Sequence, residues 1–504
     1  MCVPAWPIPR TGLDHAQRRL AGLLGCFTVP VGDGQDSRAA IAIVGRAWAS
    51  DRCCPEKGRI VAKCIKKTDI DMMIDMRTFM KKRWPSNASR IALLAGLAVP
   101  FVVYGLNILK YAINIPFEDD FDVALNFTNS FIHAGTAEQR VKLILSQQNE
   151  HRVVFDHLIF LGNYYVLHGI NFRYCIILGN LGWVLTVVML TLIFHRNFRL
   201  SLLQLLPIPF CLLSFTHHAN MFWAMASLQN YWFILFSVAF LYCLSRFKFF
   251  GLAALFPVAL FTSGGGVALY LLGNLFLVAR KRWKLAWTFF GLSTICIFVY
   301  FHNYIKPRHH PKLSDAVLHP SRTTTYLFVY LGNIWPPKLG NLAVIASFVT
   351  GLTICVLSIY IIFRRRSDDF LRLTLGFVML IAITSATTRS GFGIGQALAS
   401  RYSMYPLLAL TCIYVYASTS ERLAAHTTVW VAIALCAVVY WGTTSAVYGK
   451  HFSDTRDNRI AIIEAFRNGD KDELLKLYPK RERAANTLLA AERQRIYDYR
   501  HYEP

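Results

Sequence analysis

Apolar residues in this chain gather into long runs instead of alternating or forming narrow helical stripes. They fall at 89–110, 173–194, 201–217, 229–245, 248–262, 264–279, 285–304, 341–363, 370–387, 404–418 and 427–446. Many reach the ~17–25 residues that a bilayer-spanning helix needs. A helix that is apolar on every side must be surrounded by lipid or by other helices. The pattern therefore predicts an all-α, polytopic transmembrane helix bundle of about eleven spans. Ser263-Gly264-Gly265-Gly266 divides two of the shorter runs. Whether 248–279 is one broken helix or two spans decides the side on which every later loop falls.

Between these runs the polar segments carry their own signals. The stretch 111–172 reads as a long, structured first loop, and its apolar part 153–170 is interrupted by Asp156, His157, Asn163 and His168. Charge at the centre of a bilayer is costly, so 153–170 reads as an amphipathic helix lying at the membrane interface. Beyond 446, mixed-charge helical patterns at 459–477 and 484–499 predict a small helical C-terminal cap. The segment 1–75 shows no sustained periodicity and reads as a disordered tail or a mis-set translation start, with a better start at Met76 or Met80. The organisation is then an extension (1–75), a membrane domain (76–446) and a helical tail (447–504).

Composition excludes several classes. Of 504 residues, 55% are hydrophobic and only 16% charged, against about 25% charged in soluble proteins. A soluble enzyme, a secreted disulfide scaffold and a disordered chain are all ruled out. The net charge is +24, and 26 basic against 11 acidic residues lie between 89 and 446. With Lys81, Lys82 and Arg83 on the cytoplasmic side, Arg196/Arg199, Arg246/Lys248, 280–284, 364–366 and Arg422 fall there too. That orientation sends 111–172, 305–340, 388–403 and the tail to the extracytoplasmic side. The positive charge is topological, and no basic stripe with interleaved aromatics suggests nucleic acid. The twelve cysteines lie in the extension or in and beside apolar runs, where a free thiol acts as a small hydrophobe.

The carboxylates are the sharpest chemical signal. Of the eleven in the membrane region, four are packed into Glu118-Asp119-Asp120-Phe121-Asp122, directly after the first apolar run. Adjacent carboxylates repel, so holding them beside a membrane calls for a cation, a basic partner or a catalytic task. Downstream, Asn149-Glu150-His151-Arg152 packs four kinds of polar group together, and on a helix Asn149 and Arg152 would share a face. Across the chain, Arg389 begins a glycine-rich stretch that leads to Ser400-Arg401-Tyr402. Arginines of this kind can grip phosphate oxygens in a forked geometry. Lys306 and Arg308 form a third basic element. Neighbouring His309 and His310 rarely chelate one ion, and His217-His218 with Asn220, Trp223, Gln229 and Asn230 reads as an aromatic interface belt.

This arrangement resembles the GT-C superfamily of membrane glycosyltransferases that use polyprenyl-phosphate sugars. The likeness rests on the multi-span architecture and on Glu118-Asp119-Asp120 at the head of a long first loop. Within that class the chain looks like uncharacterised bacterial members with an Asn-Glu-His-Arg stretch (149–152) and a Ser-Arg-Tyr stretch (400–402). The resemblance implies inverting transfer of a hexose or pentose from a polyprenyl-phosphate donor to a glycan or lipid hydroxyl, on the extracytoplasmic face of the inner membrane. Asp119 or Asp120 would then be the base, with Glu118 beside them. Arg152, Arg389 and Arg401, and more weakly Lys306 and Arg308, would hold the donor phosphate. Asn149, Glu150, His151 and Tyr402 would position the acceptor, and a divalent cation is the one cofactor left open. A transporter or flippase for lipid-linked anions would use the same arginines but would need no base.

Overall fold

The computed structural model describes residues 87–500 apart from 308–309, 365–366 and 421–425. The extension 1–75, the basic group 81–83 and Arg308 lie outside the described residues. Among the described residues, eight helices are long and apolar enough to cross a membrane: Asn87–Tyr111, Phe172–Phe198, Leu202–Met221, Ala224–Ser245, Trp283–Phe301, Asn341–Phe363, Asp369–Phe392 and Thr427–Arg467. The protein is an all-α, membrane-embedded bundle. Among the described residues the only strands are Gln147–Gln148 and His151–Arg152, paired as one antiparallel hairpin.

Three of the predicted spans are shorter than a bilayer. Phe249–Thr262 and Gly266–Ala279 have 14 residues each and Met404–Ser418 has 15. At 1.5 Å per residue, 14 residues reach about 21 Å of the ~30 Å hydrocarbon core. The first two form a hairpin and not one interrupted helix. Phe247, just before the first, stacks on Phe276 near the end of the second at 5.9 Å, and Arg282 lies over the Phe247 ring at 4.6 Å. The chain therefore enters, turns at Ser263–Gly265 and returns to the same end.

The described basic loops meet at that end. Arg280 pairs with Asp369, Arg372 donates to the Arg364 carbonyl, and Phe194 and Tyr242 both pack on Phe370. At the opposite end the C-terminal segment folds over the acidic loop as a cap. Tyr478 donates its hydroxyl to Asp122 at 2.8 Å, Arg483 pairs with the same carboxylate, and Tyr497 donates to the Asn114 carbonyl at 2.6 Å. The 41-residue helix Thr427–Arg467 carries the chain from the bundle into this cap.

Helix Val154–Leu167 sits beside the acidic loop with Asp156 and His157 buried and with Leu158, Tyr165 and Val166 exposed. Its inward face joins Asp156 and His157 to Phe160 and Leu161, and its outward face is apolar, as an interfacial helix allows. His217 belongs to no surface belt. It lies in the core, where its Nδ1 meets the Tyr231 hydroxyl at 2.7 Å and its Nε2 the Leu212 carbonyl at 3.2 Å.

Candidate functional site

Glu118 adopts a positive φ of 51° at the head of the acidic loop, and its backbone amide is held by the Leu477 carbonyl at 2.8 Å. The two aspartates that follow meet different partners. Asp120 is buried, and its carboxylate accepts from the Phe117 amide at 3.1 Å and from the Met225 amide at 2.8 Å. Met225 stands in the first turn of helix Ala224–Ser245, whose free amides and dipole favour an anion. Asp120 is thus a helix cap placed from a distant loop, and it is not among the residues that line the cavity holding Arg389 and Arg401. Asp119 points the other way, into a cavity of about 360 Å³ that it shares with Asn149, Glu150, His151, Arg389, Arg401 and Tyr402.

The Asp119 carboxylate accepts from Gln148 Nε2 at 3.2 Å and from Asn149 Nδ2 at 3.4 Å. These neutral donors do not offset the loss of water, so burial raises its pKa, and Asp122 adds to the rise. Gln148 and Asn149 reach it because residues 147–152 form a hairpin and not the helix that would put Asn149 and Arg152 on one face. Asn149 has a φ of 50° at the turn. Asn149, Glu150 and His151 line the cavity; Arg152 does not.

Arg152 is 8% exposed and spends its guanidinium on the carbonyls of Tyr300, Leu145 and His302. Two of these lie at the end of helix Trp283–Phe301, where unpaired carbonyls attract a cation. It staples the hairpin to that helix end and is not available to a phosphate. Lys306 is exposed, donates to the Pro311 carbonyl at 2.8 Å and lies outside the cavity lining. Glu118 is likewise absent from the lining, and burial raises its pKa.

Asp119 shares its cavity with two arginines. Arg389, the last residue of helix Asp369–Arg389, pairs with Glu150, and Glu150 also faces His310 at 3.3 Å and His151 at 3.6 Å. The Tyr402 hydroxyl accepts from Arg389 at 2.9 Å and from Arg401 at 3.5 Å, bridging the two guanidiniums. Arg401 thereby presents its charge to the cavity beside a neutral phenol. His151 accepts at Nδ1 from the Gly264 amide at 3.1 Å, which leaves the Nε2 proton facing Glu150. Burial pushes the His151 pKa down to about 4, so the ring is neutral near pH 7. Gly264 is the tip of the short-helix hairpin, and a Cβ there would meet the Tyr300 hydroxyl at 2.9 Å and His151 Nδ1 at 3.0 Å.

Trp223, Gln229 and Asn230 also line the cavity, so the polar end of helix Ala224–Ser245 is part of the site. Ala226, Gln229 and Asn230 recur at the spacing of one helix face, and that was the available signal. Gln148, His310 and Gln396 join them through tertiary folding alone. Trp223 Nε1, Gln229 Nε2 and Gln396 Oε1 are buried without hydrogen-bond partners. A second cavity of about 270 Å³ shares Glu150, His151, Asn230, Arg389, Arg401 and Tyr402 with the first and continues between Val267, Phe301 and Ile381. Among the described residues no group of three or more His, Cys, Asp or Glu is disposed to hold a metal ion.

No family model, curated protein or solved structure matches the chain.

Proposed function

We propose that the protein is a membrane glycosyltransferase that moves a sugar from a polyprenyl-phosphate donor to a hydroxyl acceptor, in the manner of the GT-C enzymes it resembles. The observation that carries this reading is one cavity lined by Asp119 together with Arg389, Arg401 and Tyr402. A half-buried carboxylate with neutral hydrogen-bond donors and a raised pKa suits a general base. A pair of arginines bridged by a phenol suits a phosphate leaving group.

In this reaction the acceptor oxygen attacks the anomeric carbon while the bond from that carbon to the phosphate oxygen breaks. Asp119 takes the acceptor proton, and the electron pair leaves with polyprenyl phosphate, whose growing charge Arg389 and Arg401 neutralise. Attack opposite the leaving group inverts the anomeric centre. Glu150 holds Arg389 until the donor phosphate replaces it. The unpartnered polar atoms of Trp223, Gln229 and Gln396 offer both donors and an acceptor to sugar hydroxyls. The more apolar cavity beyond the arginines suits the start of the lipid chain. The gathering of basic loops at the far end supports an extracytoplasmic position for this site.

The test is donor binding and transfer by the full chain in proteoliposomes supplied with polyprenyl-phosphate hexoses and pentoses. One of them should donate its sugar, and Arg401→Ala should weaken its binding by roughly 10- to 100-fold, the equivalent of one charge-assisted hydrogen bond. Failure of every such donor, or unchanged donor binding in both Arg401→Ala and Arg389→Ala, removes the reading.

A further inference from the structure

The Phe117 and Trp223 rings pack edge to face at 5.6 Å. Trp223 lines the site, while Phe117 lines a separate cavity of about 230 Å³. Tyr111, Phe222 and Phe452 form an apolar side of this second space, with Phe222 and Phe452 centred 4.8 Å apart and Tyr111 and Phe452 5.9 Å apart. Its other side holds the guanidiniums of Arg456 and Arg459, with the His218 ring beside them.

Arg459 is 7% exposed. Its Nη1 donates to the Phe222 carbonyl at 2.6 Å and its guanidinium lies over the Phe117 ring at 3.9 Å, but its Nε has no partner. Asp120 and Glu118 are near enough to feel its charge. Asp120, however, is taken up by two backbone amides. Arg456 pairs through Nη1 with its neighbour Asp457 at 3.2 Å, and its Nε is also buried and unpartnered. His218 Nδ1 is in the same condition. A buried guanidinium with an unmet N–H is unfavourable unless an anion completes it.

Two arginines with unmet donors around one cavity match the several acceptor oxygens of a phosphate. The aromatic side places that anion next to apolar substituents. Tyr111 is the last residue of the first candidate span and His218 lies near the end of another, so the cavity opens at the level of membrane headgroups. We propose that this cavity is a second phosphate site, separate from the sugar-donor site, which takes a phosphate monoester carried by a lipid headgroup or free in solution.

Native mass spectrometry of the full chain tests this in an Arg401→Ala background, which disables the first site and makes the result independent of the transferase reading. Phosphatidic acid should still bind with one-to-one saturation, and diacylglycerol at least about tenfold more weakly. Adding Arg459→Gln or Arg456→Gln should weaken phosphatidic acid about tenfold or more. Arg456 is the less buried of the two, and an unchanged melting temperature in its variant separates lost binding from lost folding. If millimolar inorganic phosphate displaces the lipid, the source is free phosphate; if it does not, the source is the headgroup. Loss of all binding in Arg401→Ala alone, equal binding of diacylglycerol, or unchanged binding in both added variants would overturn the proposal.

Discussion

Asp119 and Asp120 are neighbours of the same residue type, yet the fold gives them opposite work. Asp119 meets two neutral side-chain amides and a cavity, and burial raises its pKa. A base must be deprotonated, so transfer should rise with pH through a pKa above the ordinary carboxylate value of about 4. A pH profile of kcat/KM checks this, and an acid limb at or below that value would count against Asp119. Asp120 satisfies two backbone amides, so Asp120→Ala should cost about 1–3 kcal/mol for each amide left unpaired, read as a lowered melting temperature in detergent. Burial pushes the folded-state pKa of Asp120 up to about 7. Its contribution to stability is therefore full below the unfolded value of about 4 and is lost as pH rises toward 7. The melting difference between wild type and Asp120→Asn should shift against wild type across that window. The sequence made the acidic cluster visible because charge beside a membrane is costly. It could not separate the two aspartates, since the difference lies in which amides face each one.

At the scale of elements, apolar run length predicted where helices lie but not how far each one reaches. Phe249–Thr262 and Gly266–Ala279 read as spans because nothing in a run of Leu, Phe and Ala reports depth. In the fold they stop short and bring Gly264 to His151. Gly264→Ala should press on the Tyr300 hydroxyl and on His151 and lower stability by about 1–3 kcal/mol, as overpacking does. An unchanged melting temperature with unchanged donor binding would show that this contact is slack. The hairpin at 147–152 escaped the sequence reading because strands of two residues are too short to show alternation. Arg152 was misread for a related reason: a guanidinium committed to three carbonyls has the same local sequence as one that awaits a phosphate. Gln229 and Asn230 were within reach of the sequence, since two amides on one face of an otherwise apolar helix need partners.

For the whole molecule, the bundle, the capped tail and the basic end were legible because lipid and the charge rule act on segments instead of single contacts. Sidedness follows as a prediction. On a background without native cysteines, probes at 130, 315 and 480 should react from outside, and a probe at 282 should not; labelling at 282 without labelling at 315 would reverse the assignment. The central claim joins Asp119 to Arg389 and Arg401 in one cavity, as base and leaving-group site of a sugar transfer. Its most direct test is single-turnover transfer by Asp119→Asn with donor binding measured in parallel. The account predicts that transfer from the polyprenyl-phosphate sugar is abolished while the donor still binds as in wild type; full transfer in Asp119→Asn would contradict it.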